Sequence, residues 1–287
     1  PNIESLKKLA DLFEVSVDEL IKEETFDISK INILEVLREQ KNMKLKGNLY
    51  HNTQITFAYN TNHIEGSKLT EDQTRYIYET NTLLSEKDSI TDLDDVLETA
   101  NHFKLVDYML EIADKKLTEK MVKEFHKILK EGTSDSRKDW FIVGDYKKLP
   151  NEVGGLKTTE PKNVERDMKK LLEWYESLNQ ITINEIIEFH AKFEKIHPFQ
   201  DGNGRIGRFI ILKQCLEKNI DLIAIDDEYG DDYKKALYKA QTTDDISDLV
   251  DVFNNCQKRL DDKLEQYKDM LKQIDDAAMP SDGDIQI

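Results

Sequence analysis

Residues 197–208 read His197-Pro198-Phe199-Gln200-Asp201-Gly202-Asn203-Gly204-Arg205-Ile206-Gly207-Arg208, which places an imidazole, a carboxylate, a glycine-rich turn and two guanidinium groups in one short run. Gly202, Asn203 and Gly204 can take conformations closed to bulkier residues, so that successive backbone N–H groups converge on one anion at the positive end of the next helix. Phosphate is the natural guest of such a turn. Arg205 and Arg208 lie three apart, on one face of that helix, and offer planar forks to further phosphate oxygens. Asp201 is an oxygen ligand for a hard cation such as magnesium, and His197 is a general base able to take a proton from a hydroxyl near neutral pH.

The flanking sequence says how these groups are held. Ile183, Ile186, Ile187, His190, Phe193 and Ile196 recur at helical steps, with Thr182 and Glu185 placed as a capping box. Pro198 denies that helix another hydrogen bond and is expected to hold His197 extended, so the helix ends at the histidine. Gly202, Gly204 and Gly207 also satisfy a dinucleotide-binding fingerprint, with Asp226 placed where a ribose-binding acid belongs. That fingerprint needs a buried strand in front of it; here the preceding stretch has helical period and ends in His-Pro.

At every defining position residues 197–208 resemble the signature of the Fic family, histidine-x-phenylalanine-x-acid-glycine-asparagine-glycine-arginine-x-x-arginine. The resemblance implies an all-α, Fic-type helical bundle with a small β-hairpin flap, and an enzyme that moves AMP from ATP to a Tyr, Thr or Ser hydroxyl of a target protein. Carried over residue by residue, it makes His197 the catalytic base, Asp201 the Mg2+ ligand, Asn203 with Gly202 and Gly204 the α-phosphate cradle, and Arg205 with Arg208 the holders of the outer phosphates. Thr61-Asn62-His63-Ile64-Glu65-Gly66 resembles the family's inhibitory motif, on a helix near residues 52–66. The resemblance implies that Glu65 pairs with Arg208 and removes the fork meant for the γ-phosphate. Glu65-Gly66 is equally well formed as a plain helix end with a glycine cap.

Between these motifs, Trp140-Phe141-Ile142-Val143 is β-prone, Pro150-Asn151 is turn-rich and 153–159 can extend again, which together read as the hairpin. Pro161 starts a helix through Val164, Met168, Leu171 and Tyr175. In the family such a flap covers the active site and holds the target by main-chain pairing. Other expected helices begin near Ile31, at Thr70 with Gln73, at Leu93 and at Thr118, and continue over 232–240 and 246–271. His190 reads as a satisfied core residue behind the catalytic loop.

With 287 residues, 38% of them hydrophobic, the chain can bury a real core. Its net charge of −17 opposes nonspecific binding to nucleic acid or anionic membranes. Cys215 and Cys256 read as reduced packing residues, no spanning segment is visible, and a cytoplasmic protein is expected. Residues 1–24 resemble the closing helices of a Cro/repressor-type helix-turn-helix domain, or form a helical lead-in; 25–276 read as the Fic domain and 277–287 as a disordered tail. DNA enters as a partner only through a missing helix-turn-helix part. Self-modification, removal of AMP with Glu65 orienting water, transfer of another nucleotide, and a DNA-binding regulator with a Fic-type sensor are the other readings.

Overall fold

In chain order the elements are α1 (Ile33–Met43), α2 (Leu49–Ile64), α3 (Glu71–Thr80), α4 (Leu93–Ile112), α5 (Glu119–Lys130), β1 (Glu152–Val153), β2 (Leu156–Lys157), α6 (Pro161–Glu176), α7 (Ile183–Ile196), α8 (Asn203–Lys218), α9 (Gly230–Thr243) and α10, which covers 247–258. The computed structural model describes residues 7, 32–84, 90–220 and 224–258. Apart from Lys7, the helix-turn-helix resemblance lies outside the described residues, as does the tail expected at 277–287.

Several helix starts follow directly from side chains that satisfy otherwise unpaired amides. Thr182 with Glu185 caps α7, and Thr70 with Gln73 caps α3, each as a reciprocal capping box. Asn48 accepts from His51 N at 2.8 Å to open α2, Thr118 opens α5, and Pro161 stands at the first position of α6.

Helix α8 is the centre of the bundle. Every residue from Arg205 to Leu216 is buried, so this helix is enclosed on all sides. Ile206, Phe209, Ile210 and Leu212 pack into a core with Phe57 of α2, Phe125 and Leu129 of α5, and Phe189 and Phe193 of α7. Ile211 and Cys215 join a second cluster with Ile187, Ala236, Leu237 and Phe253. A helix held from both sides cannot tilt freely, and its N-terminal turn is therefore fixed in place.

The hairpin is shorter than the sequence suggests. Glu152 pairs with Lys157 and Val153 with Leu156, across Gly154 (φ 56°) and Gly155 (φ 77°), the two left-handed residues that a tight hairpin turn requires. Residues 140–143 form no strand. Their neighbourhood is committed elsewhere: Phe141 N donates to Lys138 O, the Phe141 ring is buried over His126, and Gly144 N donates to His126 Nδ1 at 2.9 Å. No helix among the described residues is long and apolar enough to cross a membrane.

Removing the Thr182 hydroxyl tests whether α7 depends on its cap. Thr182→Ala should lower stability by about 0.5–2 kcal/mol, read as a lower urea midpoint at unchanged m.

Candidate active site

The loop joining α7 to α8 is held by side chains that the turn itself supplies and by others from α5. His197 ends α7 in the left-handed region (φ 52°, ψ 61°), donating its N–H to Phe193 O at 2.9 Å. This corrects the extended geometry expected from Pro198: the proline disfavours the right-handed helical conformation, but the left-handed one lets the His197 amide close the last turn. Phe199 is fully buried and lies parallel to His126, ring centroids 4.0 Å apart. Asn203 Oδ1 accepts from Phe199 N at 2.8 Å while Asn203 Nδ2 donates to Phe199 O at 2.9 Å. The Asn203 side chain is thus spent on the backbone of the loop, and what this residue offers an anion is its main-chain N–H.

His126 fixes the next part of the turn. Its Nδ1 accepts from Gly144 N, so in the neutral ring Nε2 carries the proton and donates to Asp201 O at 3.2 Å. Burial, aided by Lys130, drives its pKa down to about 3, which keeps the ring in that neutral form. Gly202 follows at φ 81°, and α8 starts at Asn203. The first-turn amides of α8 have no acceptor within the helix and face the loop as a ready anion site.

Two charged clusters flank that turn. In one, Lys130, 2% exposed, donates to Asp201 Oδ2 at 2.7 Å, to Glu98 and to Asp135. Arg205 pairs with Glu98 through Nη1 and with Asp201 Oδ2 at 3.3 Å through Nη2. Desolvation opposes ionisation of Asp201, but Arg205 and Lys130 outweigh it and hold its pKa at about 2. The Asp201 side chain stays half exposed, and both of its ion pairs use Oδ2. No group of three or more His, Cys, Asp and Glu side chains suited to a metal occurs among the described residues. A single accessible carboxylate fits magnesium, which keeps several waters and is otherwise held by substrate phosphates.

The second cluster joins α8 to the end of α2. Glu65 is the C-cap residue of α2, Gly66 follows at φ 99°, and Glu65 Oε1 accepts from Arg208 Nη2 at 2.6 Å. Helix end and arginine partner are therefore the same residue. Arg208 Nη2 also donates to Thr61 O at 3.0 Å, yet Nε and Nη1 of this 2% exposed guanidinium have no hydrogen-bond partner among the described residues. Glu65 Oε1 stands 2.2 Å from where a Cβ on residue 204 would be, so only glycine admits the carboxylate to the first turn of α8. Arg208 Cζ lies 5.8 Å from the centre of the Tyr233 ring, and Tyr233 Oη contacts His190 Nε2 at 2.7 Å.

His197, Asp201, Gly202, Asn203, Gly204, Arg205, Arg208 and Glu65 are thus gathered where the end of α2 meets the loop and the start of α8. The two arginines diverge, Arg205 toward α4 and Arg208 toward α2. The sequence assigned no place in the site to His126, Glu98 or Lys130, whose partners are far away in the chain, nor to Glu194, whose signal was local: three residues before His197 on the same helix. His190 is buried as expected but only half satisfied, since its Nδ1 has no partner.

Residues 116–215 match the model of the Fic/DOC family. The chain is 23% identical over 234 residues to protein adenylyltransferase fic-1 of Caenorhabditis elegans, covering 80% of this chain and 44% of that protein. It is 27% identical over 220 residues to protein adenylyltransferase Fic of Drosophila melanogaster, covering 75% of this chain and 43% of that one. It spans less than half the length of these curated relatives. Among solved structures, a Fic domain containing signaling protein from Bacteroides thetaiotaomicron superposes with a TM-score of 0.64 at 23% identity, over 80% of this chain and 93% of that one. A Fic family protein from Desulfovibrio desulfuricans gives 0.62 at 21%, over 83% and 76%. These likenesses establish a shared fold.

Lys130 is the cation that three carboxylates of the first cluster share, Glu98, Asp135 and Asp201. Lys130→Ala leaves Glu98 buried with Arg205 as its remaining cation and should destabilise the protein by about 1–3 kcal/mol in urea unfolding.

Proposed function

Given that the chain carries a Fic domain, we propose that it transfers AMP from ATP to a Tyr, Thr or Ser hydroxyl of a protein, and that Glu65 restrains this activity. One observation carries the reading: a buried arginine with two nitrogens unpaired among the described residues lies beside the first turn of α8, and the ion pair it makes there is with a carboxylate from the end of another helix. A helix N-terminus and a buried guanidinium together are a phosphate seat.

In this reading the backbone amides at Gly202, Asn203 and Gly204 take the α-phosphate. Arg208 takes the γ-phosphate once Glu65 withdraws. Arg205 enters with both terminal nitrogens already paired, so its share in phosphate binding is made alongside Asp201 or in exchange for it. Asp201 with the phosphates would hold a magnesium ion, which supplies charge neutralisation when bound. His197 accepts the proton of the attacking hydroxyl as its oxygen bonds to the α-phosphorus, and the bond to pyrophosphate breaks. The contribution of the protein is position and electrostatics, since the groups that meet the developing charge are already fixed. With Glu65 in its observed place, the seat of the γ-phosphate is occupied and the triphosphate cannot align for attack.

Incubation with α-labelled ATP and magnesium in a lysate tests this. Glu65→Gly should raise labelling about tenfold or more, equivalent to roughly 1.5 kcal/mol, the low end for a charge-assisted bond because Glu65 is partly open to solvent. In the Glu65→Gly background, His197→Ala should lower labelling by about 10²- to 10⁴-fold, and Arg208→Ala in the otherwise unchanged chain should not raise labelling, because the γ-phosphate loses its partner along with Glu65. Labelling that is indifferent to Glu65 removes the brake; labelling that survives His197→Ala removes the base.

A further inference from the structure

Glu194 has no part in the reaction as described, and its surroundings require one. It lies in the last turn of α7, its residue 2% exposed, with Oε2 3.4 Å from His197 Nδ1. On its other side stands His190: a Cβ placed on Gly207 would meet Glu194 Oε1 at 2.6 Å and His190 Nδ1 at 2.9 Å. Glu194 Oε1, His190 Nδ1 and His197 Nδ1 are all buried without a hydrogen-bond partner among the described residues. Arg208 from α8, Tyr233 from α9 and Glu65 from the end of α2 complete the charged and titratable groups around this pocket. Elsewhere the inner face of α7 is apolar, with Ile186, Phe189 and Phe193. A carboxylate buried among such neighbours is costly unless a nearby donor answers it.

We propose that Glu194 is the positioning residue of His197: its carboxylate accepts the Nδ1 proton of the imidazole and thereby leaves the Nε2 lone pair for the incoming hydroxyl. This rests on the reading of His197 as the base. A neutral imidazole has one N–H and one lone pair, and the nitrogen that faces a carboxylate is the one that carries hydrogen. The left-handed backbone at His197, closed by its N–H on Phe193 O, is what turns Nδ1 back toward its own helix. The separation of 3.4 Å is long for a hydrogen bond, as is common before substrate tightens a site. During transfer the hydroxyl proton moves to Nε2, the oxygen bonds to phosphorus and pyrophosphate leaves. Glu194 remains ionised throughout and faces the imidazolium that forms, the part that a third group plays behind any oriented base. Burial pushes its carboxyl up, but His197, His190 and Arg208 together hold it below the ordinary glutamate value. Gly207 belongs to the same device, because any side chain there would displace the carboxylate.

The test is a long-range nitrogen–proton correlation spectrum of the full chain labelled in histidine, with His197 identified by its loss in His197→Ala. The wild type should show His197 as a single tautomer protonated on Nδ1. Glu194→Gln, whose amide can donate as well as accept, should mix the tautomers. In the Glu65→Gly background the same change should lower kcat for AMP transfer roughly 10- to 100-fold at unchanged KM for ATP. A wild-type His197 protonated on Nε2 overturns the proposal even if Glu194→Gln does not fold. So does a Glu194→Gln protein that keeps the single tautomer, or one that loses it at full kcat. Retention of transfer in His197→Ala would instead discredit the base, and the spectrum, which needs no activity, still decides the contact.

Discussion

A guanidinium that is 2% exposed must be answered by an anion, and in this chain the answer to Arg208 comes from Glu65, 143 residues earlier. That pair dictates much of the local architecture. It requires α2 to end where α8 begins, residue 204 to be without a side chain, and Gly66 to release the chain at once after the carboxylate. A carboxylate at the positive end of a helix imitates a phosphate oxygen, so the contact that completes the resting fold also occupies the seat that the proposed substrate needs. Under the proposed function, stability and restraint are one interaction, and release is driven by something that offers Arg208 another anion or draws α2 away.

The remaining groups are immobilised in a different manner. Asn203 locks Phe199, His126 locks Asp201 O, and Lys130 with Arg205 locks the Asp201 carboxylate, so each turn residue is tied to a helix rather than to its neighbours in the loop. Because α8 is enclosed between two hydrophobic clusters, these ties refer to a fixed frame. The result is a turn whose donors are set in the resting fold, the arrangement that the proposed phosphoryl chemistry rewards most. Only Asp201 among these groups keeps substantial contact with solvent, which suits the magnesium role proposed for it.

Much of this could be read from the chain. Capping boxes at Thr70 and Thr182, the cap at Thr118 and the proline at 161 gave helix starts because their physics is contained within a few residues. The gathering of Glu65 with residues 197–208 followed from two motifs. Sequence reasoning failed where the deciding contact was distant or where local preference was overruled. Nothing near Glu98 or Lys130 announces that they bracket Arg205 and Asp201, and the β-prone run 140–143 gave way because its backbone and Phe141 serve His126 and the turn at Lys138. His197 took the left-handed conformation because closing α7 outweighed the usual preference of a residue before proline.

Under the proposed function, the carboxylate of Glu65 and the end of a nucleotide triphosphate compete for one place beside Arg208. A crystal structure of the Glu65→Gly protein with ATP and magnesium tests it most directly. γ-Phosphate oxygens should lie on the Arg208 guanidinium and the α-phosphate on the amides of Gly202 to Gly204. Density for the nucleotide elsewhere, or an Arg208 that has found a new protein partner and leaves the triphosphate free, would contradict it.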